Sequence, residues 1–344
     1  MKLGTTITFG RNGPDGLAER AARLEDAGVD YLWTGEAYSP DAVSLMGFLA
    51  AVTNRARIGS SILPLYSRTP TLLAMTAVGL DRLSNGRFVL GIGASGPQVI
   101  EGFHGLPYDK PIALTSDVID ICRTVWSGER VVHQGDAFSV PLPPENGTGL
   151  GKALSLGTRP VAGRVPIHVA ALGPKNVELV AAKADGWLPL HYWPERAGEV
   201  WDGAISAGAA SRPDDLAPLE IVAGGQLAIG DDVQELRDRV RPALAMYFGG
   251  MGARGRNFYN DLLGRYGYEE EAAEIQDRFL DGDRNGAAAL IPDELILETQ
   301  LIGDAAFVRD RIEAFRDSGV TVLNVQPVGP NRHHDLEAVA TLLA

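Results

Sequence analysis

Cysteine is almost absent from this sequence: Cys122 is the only one in 344 residues. A lone thiol can neither form an intrachain disulfide nor supply a cysteine-based zinc site. It sits in DVIDICRTVW, whose apolar residues recur at helical spacing, so it reads as a small buried hydrophobe rather than a nucleophile. Histidine is scarce too. His104, His133, His168, His191, His333 and His334 form neither H-x-x-x-H nor H-E-x-x-H, so no metal site is expected. No G-x-S-x-G elbow marks a serine hydrolase. Positive charge is in deficit, with 31 Lys and Arg against 44 Asp and Glu and a net charge of −13. A field of that sign repels phosphate backbones and anionic lipids, which disfavours nucleic-acid and membrane-surface partners. No run approaches the ~18 apolar residues of a membrane span, and MKLGTTITFG lacks the apolar core of a signal peptide. The expectation is a cytoplasmic protein.

What is present is an alternation of apolar runs and amphipathic stretches. Strands are expected at Lys2–Phe9, Tyr31–Glu36, Ile58–Pro64, Phe88–Ala94, Ile167–Leu172, Trp187–His191, Ile221–Ile229 and Val322–Pro327. Helical spacing covers Gly13–Ala27, Asp41–Thr53, Thr71–Leu83, Ala113–Trp126, Asn176–Ala184, Glu195–Gly208, Val233–Tyr247 and Phe307–Arg316. Asp41 is placed to cap its helix. Eight strands separated by helices imply parallel βαβ units, and eight such units predict an α/β fold of the (β/α)8 TIM-barrel type over residues 1–344. Two stretches break the rhythm. Residues 129–165, with PLPPENGTGLGK, read as an insertion after the fourth strand. Residues 249–300, with EEEAAEIQDRF, read as a helical insertion between the seventh and eighth.

In a barrel the working face lies at the C-terminal ends of the strands. Glu36 closes the second strand, where it could serve as a general acid/base or a hydrogen-bond acceptor, or simply favour the start of the next helix. Ser60 to Pro64 ends the third, where small polar residues make an ordinary strand-to-helix turn or let a flat ring approach the backbone. Gly91, Gly93 and Gly96 in GIGASGPQV allow close backbone approach and positive φ. Their G-x-G-x-x-G spacing lacks the acidic partner of a dinucleotide fingerprint, so it does not predict NAD. Ala170-Ala171-Leu172-Gly173-Pro174-Lys175-Asn176 ends the fifth strand. Its helix start and the Lys175 ammonium suit an anion, against the plain alternative of an ordinary helix cap. His191 ends the sixth strand and is the best-placed histidine. His168 reads as a core residue.

Four blocks carry a resemblance: AGVDYLWTGEAYSPDA, ARIGSSILPLYSRTP, GRFVLGIGASGPQVIEGFHGLPYDKP and PIHVAALGPKNVELVAAKADGWLPL. A fifth is LAMYFGGMGARGRNFYNDLLGRYGY. The chain resembles, nearly end to end, the luciferase-like oxidoreductases, and within them the coenzyme F420-dependent branch. The resemblance implies a bacterial luciferase-like barrel with the deazaflavin in its mouth, a small-molecule substrate and a homodimer. It implies a cis peptide at Ser61–Ile62 that bulges toward the coenzyme ring. Gly93, Ala94, Ser95, Gly96, Pro97 and Gln98 would line the ring or ribityl chain. Ala171, Leu172, Gly173, Pro174, Lys175 and Asn176 would hold the phosphate, and Lys152 would meet the acidic tail. Many relatives end the second strand in Ser-Asp-His, whereas this chain has Gly35-Glu36-Ala37, so a proton would come from Glu36, Tyr38, His191 or water. The expected activity is hydride transfer between F420 and a small organic substrate. The alternatives are an FMN-dependent monooxygenase using oxygen and a non-catalytic coenzyme-binding paralogue.

Overall fold

The computed structural model describes residues 1–10 and 15–344. Gly13 and Pro14, the expected start of the first helix, lie outside the described residues; the rest of that helix spans Leu17–Asp26. Eight parallel strands close on themselves: β1 (Lys2–Thr6), β2 (Tyr31–Thr34), β3 (Arg57–Ser60), β4 (Phe88–Gly93), β5 (Ile167–Ala170), β6 (Gly186–Trp187), β7 (Glu220–Ala223) and β8 (Val322–Asn324). Each pairs with the next, and β8 pairs back onto β1 with Gly4 opposite Asn324. The result is the (β/α)8 barrel.

The strands are apolar nearly throughout because both faces are covered. Tyr31, Trp33, Val89, Leu188, Val222 and Val322 fill the lumen. Tyr31 and Trp33 stack with ring centroids 5.2 Å apart. The outer face of the barrel packs on the helices, where Cys122 is fully buried and its thiol is pushed up to about 12 by that burial.

At the N-terminal end of the barrel, Glu220 opens β7 and collects polar partners. The Tyr31 hydroxyl donates to it at 3.2 Å, His168 Nε2 lies 3.2 Å away and Lys2 Nζ 3.7 Å away. Burial pushes the Glu220 carboxyl up, but His168, Lys2 and Arg57 outweigh it and hold the group down to about 2.

Most of the expected strands are divided or shortened, among them the third, which breaks between Ser60 and Leu63. The Ile221–Ile229 run breaks at Gly224–Gly225, and its second half, Gln226–Ile229, leaves the barrel to pair with Leu301–Gly303 and Gln326–Pro327 in a small parallel sheet. The Val322–Pro327 run breaks in the same way at Val325. Leu301–Gly303 itself was not expected: three apolar residues behind a helix carry too short a pattern. The Trp187–His191 run stops pairing early, and 188–191 is a loop carrying His191 at φ 55°.

Residues 129–165 hold only a hairpin, His133–Gln134 with Ser139–Val140, and a 3-10 turn at Pro144–Asn146. Asp117 ties the hairpin down by accepting the N–H groups of Ala137 and Phe138, both at 2.9 Å. Residues 249–300 hold the helices Phe258–Arg265, Glu269–Leu280, Arg284–Ala289 and Asp293–Thr299. A π-turn at Met246–Gly250 joins them to the preceding helix, Gln234–Ala245.

Candidate coenzyme and substrate site

The mouth of the barrel is shaped first by backbone. β3 ends at Ser60, the Ser61–Ile62 peptide is cis, and Leu63–Pro64 then pairs with Ile92 and Gly93 of β4. The bulge between presses against the end of β2, where a Cβ on Gly35 would lie 2.2 Å from the Ser61 carbonyl oxygen. Only glycine fits there. Beside it, a Cβ on Gly93 would meet Ile62 Cδ1 at 3.0 Å and Ala170 Cβ at 3.2 Å. Ile62, Gly93 and Ala170, from three successive strand ends, thus form one apolar floor, and Ile62 and Ala170 rest on the lumen cluster.

The 93–98 loop rims this floor. Its positive φ falls on Ser95 (59°), not on the glycines expected to need it. Gly96 adopts an ordinary extended conformation, with open space where a Cβ would be. Tyr108 covers the loop by donating to the Ser95 carbonyl at 3.4 Å. Ala94 is half-buried, while Pro97 and Gln98 are exposed at the start of a four-residue helix.

The opposite rim is the start of the Pro174–Lys183 helix. No side chain caps it at Gly173, so its positive end faces outward unneutralised. Ala171 is buried, and the Leu172 carbonyl accepts from Trp201 Nε1 at 3.0 Å and from Arg265 Nη2 at 2.9 Å. Arg265 Nη1 and Asn176 Oδ1 are buried there without partners. A guanidinium N–H with no acceptor, an amide that can turn over to present its N–H, the exposed Lys175 and a bare helix start form a donor set that fits a phosphate group. Arg265 comes from the 249–300 segment. Nothing in sequence spacing tied it to a loop 93 residues away.

Glu36 and Tyr38 lie past the end of β2. The Glu36 carboxylate is already engaged. Arg68 grips both its oxygens, Nη2 to Oε2 at 3.2 Å, and Ala42 N–H donates to it at 3.0 Å. Arg68 also holds Asp41 at 2.8 Å, and Asp41 caps the Ala42–Val52 helix through Ser44 N–H. The Arg68 link was not read from the sequence.

His191 lies in a nest of aromatic rings, with Tyr247 at 4.8 Å, Phe248 at 5.0 Å and Tyr259 at 5.8 Å between centroids. Its Nε2 is buried and unpaired, and burial pulls the imidazole down to about 3, so it is neutral at ordinary pH. Tyr266 clamps the backbone there, donating to the His191 carbonyl at 2.9 Å and accepting Trp193 N–H at 3.2 Å. Burial raises the Tyr247 hydroxyl, and nearby Tyr38 adds to the effect. Tyr38, Tyr247, Tyr259 and His191 therefore share one wall. Lys152 is exposed on the 129–165 segment. Among the described residues no group of three or more His, Cys, Asp or Glu is placed to hold a metal ion.

A closed parallel barrel with a bulged third strand, an apolar floor and unpaired donors after the fifth strand offers surfaces that suit a flat, phosphate-bearing coenzyme. The chain belongs to the family described as luciferase-like monooxygenase, whose model matches residues 1–322. It is 41% identical, over 98% of its length and 99% of the relative's, to a Mycobacterium tuberculosis protein named as a coenzyme F420-dependent oxidoreductase. It is 28% identical to the 5,10-methylenetetrahydromethanopterin reductase of Archaeoglobus fulgidus, over 92% of this chain and 90% of that one. Its fold matches the solved F420-dependent tetrahydromethanopterin reductase of Methanopyrus kandleri with a TM-score of 0.79 at 23% identity, covering 98% and 97% of the two chains.

Proposed function

We propose that this protein transfers a hydride between coenzyme F420 and a small organic substrate. The observation that carries this reading is the cradle at Leu172–Asn176, completed by the half-satisfied guanidinium of Arg265 beside the apolar floor of Ile62, Gly93 and Ala170. The named activity of the 41% identical relative supports it. When bound, the deazaflavin supplies the hydride chemistry. Ile62, Gly93 and Ala170 would support its ring, the 93–98 loop would line it, and Gly173, Pro174, Lys175, Asn176 and Arg265 would hold its phosphate. Lys152 is the cation assigned to its acidic tail.

The substrate would be bounded by the wall of Tyr38, Tyr247 and His191. Glu36, Tyr38 and His191 are the groups assigned to its polar chemistry. In this role Glu36 works mainly by position, because Arg68 and the Ala42 N–H hold its carboxylate. The neutral imidazole of His191 can donate or accept a hydrogen bond. The same reading includes a homodimer, supported by the exposed Phe48, Leu72, Met75 and Leu83 on the neighbouring helices Ala42–Val52 and Pro70–Leu83. It also includes a cytoplasmic location, supported by the single, buried thiol.

The deciding experiment is a titration of the purified protein with F420 and with FMN, followed by turnover assays with and without oxygen. Micromolar or tighter binding of F420 with weak FMN binding is expected. Preference for FMN with oxygen uptake would move the chain to the monooxygenase branch of its family. Tight F420 binding without turnover of any acceptor would leave a coenzyme carrier. Arg265→Ala should weaken F420 by about 1.5–3 kcal/mol, the scale of a hydrogen bond to a charged group. Lys175→Ala, at an exposed position, should cost less. Unchanged affinity in Arg265→Ala would remove the cradle assignment.

A further inference from the structure

A cavity of about 370 Å³ lies on the flank of the barrel, away from the cradle. Its walls come from the end of β1 and the residues just after it, from the Leu17–Asp26 helix, from Gln326–Pro327 and from the start of the last helix, Arg332–Leu343. Arg20, Arg23, Arg332 and His333 all line it, and no Asp or Glu does. That is unusual in a chain with 13 more acidic than basic residues. Some arginines of this protein are fully engaged: Arg68, Arg241, Arg254, Arg278 and Arg311 each hold two carboxylates. Among the described residues Arg20, Arg23 and Arg332 make no ion pair.

We infer that this cavity is a binding site for a small, multiply charged oxyanion, bearing phosphate or clustered carboxylates. Arg20 and Arg23 repel each other, and an anion in the concavity that they line with Arg332 relieves that repulsion while offering oxygens to the planar forks. The crowding registers at Arg20, whose guanidinium is pulled down by burial and by Arg23. Arg20 is held in place by donating to the Thr8 carbonyl. Thr6, Thr8 and Gln326 add neutral hydrogen-bonding groups to the wall. The Arg332 helix has no side-chain cap at Asn331, but Asp335 in its first turn offsets its positive end, so the field comes from the arginines. His333 plays the lesser part, since its Nε2 is 3.3 Å from Glu337. The volume falls in the range of small-ligand pockets.

This site is distinct from the coenzyme cradle. The cradle follows β5, whereas this cavity sits at β1 and beyond β8, and β1 and β5 are four strands apart around a ring of eight. The inference does not depend on the identity of the coenzyme.

The test is calorimetric titration of the full chain with pyrophosphate and with citrate, in chloride buffer of constant ionic strength, for the wild type, for Arg23→Ala/Arg332→Ala and for Lys175→Ala. Saturable binding of at least one probe is expected, weakened about tenfold or more in the double arginine variant and unchanged in Lys175→Ala. The stronger probe tells phosphate from carboxylate. Both substituted arginines are exposed, so thermal melting without ligand should match the wild type. Binding that survives the arginine substitutions would overturn the assignment, and a fall in Lys175→Ala as well would place the anion in the cradle. Failure of both probes to bind saturably at millimolar concentration would overturn it as well.

Discussion

At the scale of single residues, the most instructive site is Glu36. Position alone makes it a free carboxylate at the barrel mouth; its partners make it the hub of a small network. Arg68 bridges it to Asp41, and both carboxylates meet the start of the Ala42–Val52 helix, one at Ala42 N–H and the other at Ser44 N–H. The Glu36 and Arg68 side chains are 11% and 15% exposed, so removing one leaves the other poorly solvated. Glu36→Gln and Arg68→Ala should therefore each destabilise the fold, and the double variant should be less damaged than their sum, with a coupling of about 0.5–3 kcal/mol. Urea unfolding of the four proteins measures it, and simple additivity would mean that the pair is not coupled. The assigned role in turnover is tested separately: Glu36→Gln should keep F420 affinity while kcat falls, and full activity would take Glu36 out of the mechanism.

At the scale of elements, most of the barrel was legible. Each of its eight strands lies within or overlaps an apolar run, because burial on both faces leaves a continuous signal. The helix starts expected at Thr71, Ala113, Asn176 and Glu195 fall one or two residues late. The helices begin on Pro70, Pro111, Pro174 and Pro194, since proline's fixed φ and missing N–H suit a first turn. The divided seventh and eighth strands were not legible, because hydropathy does not register a change of pairing partner. The mouth was legible in its backbone, at Ser61–Ile62 and the loop after β5. It was not legible in the side chains that complete it. Arg68, Tyr247, Tyr259, Arg265 and Tyr266 are joined to the mouth by tertiary contacts with no sequence period. Tyr266 shows what the 249–300 segment does, since its hydroxyl fastens that segment to the His191–Trp193 loop by two hydrogen bonds. Tyr266→Phe leaves the buried Trp193 N–H without its acceptor, at a cost of about 1–3 kcal/mol. Hydrogen exchange should quicken at 191–193 and 258–266 together while the lumen strands stay protected. Protection unchanged in both segments would show that packing alone holds them.

At the scale of the whole molecule, the question is what holds the ring closed at the end away from the chemistry. Glu220 meets His168 of β5, Tyr31 of β2 and Lys2 of β1, so one carboxylate ties β7 across the barrel. Burial works against its charge, and His168, Lys2 and Arg57 outweigh burial, leaving the group at about 2 in the folded state. The unfolded chain protonates a glutamate near its ordinary value of about 4.3. A depressed carboxyl favours the fold above that value, and its contribution is lost as pH falls toward 2, because the unfolded state takes up the proton first. Wild-type protein should therefore lose melting temperature between about pH 4.5 and 2 more steeply than Glu220→Gln, which has no carboxylate to protonate. At pH 7 the variant should already melt lower, since Lys2 then faces an amide in place of its counter-charge. Melting curves for both proteins across that range decide the matter. If they run parallel from pH 7 to 2, Glu220 is not a pH-dependent tie across the barrel, and strand pairing and the apolar lumen hold the ring closed without it.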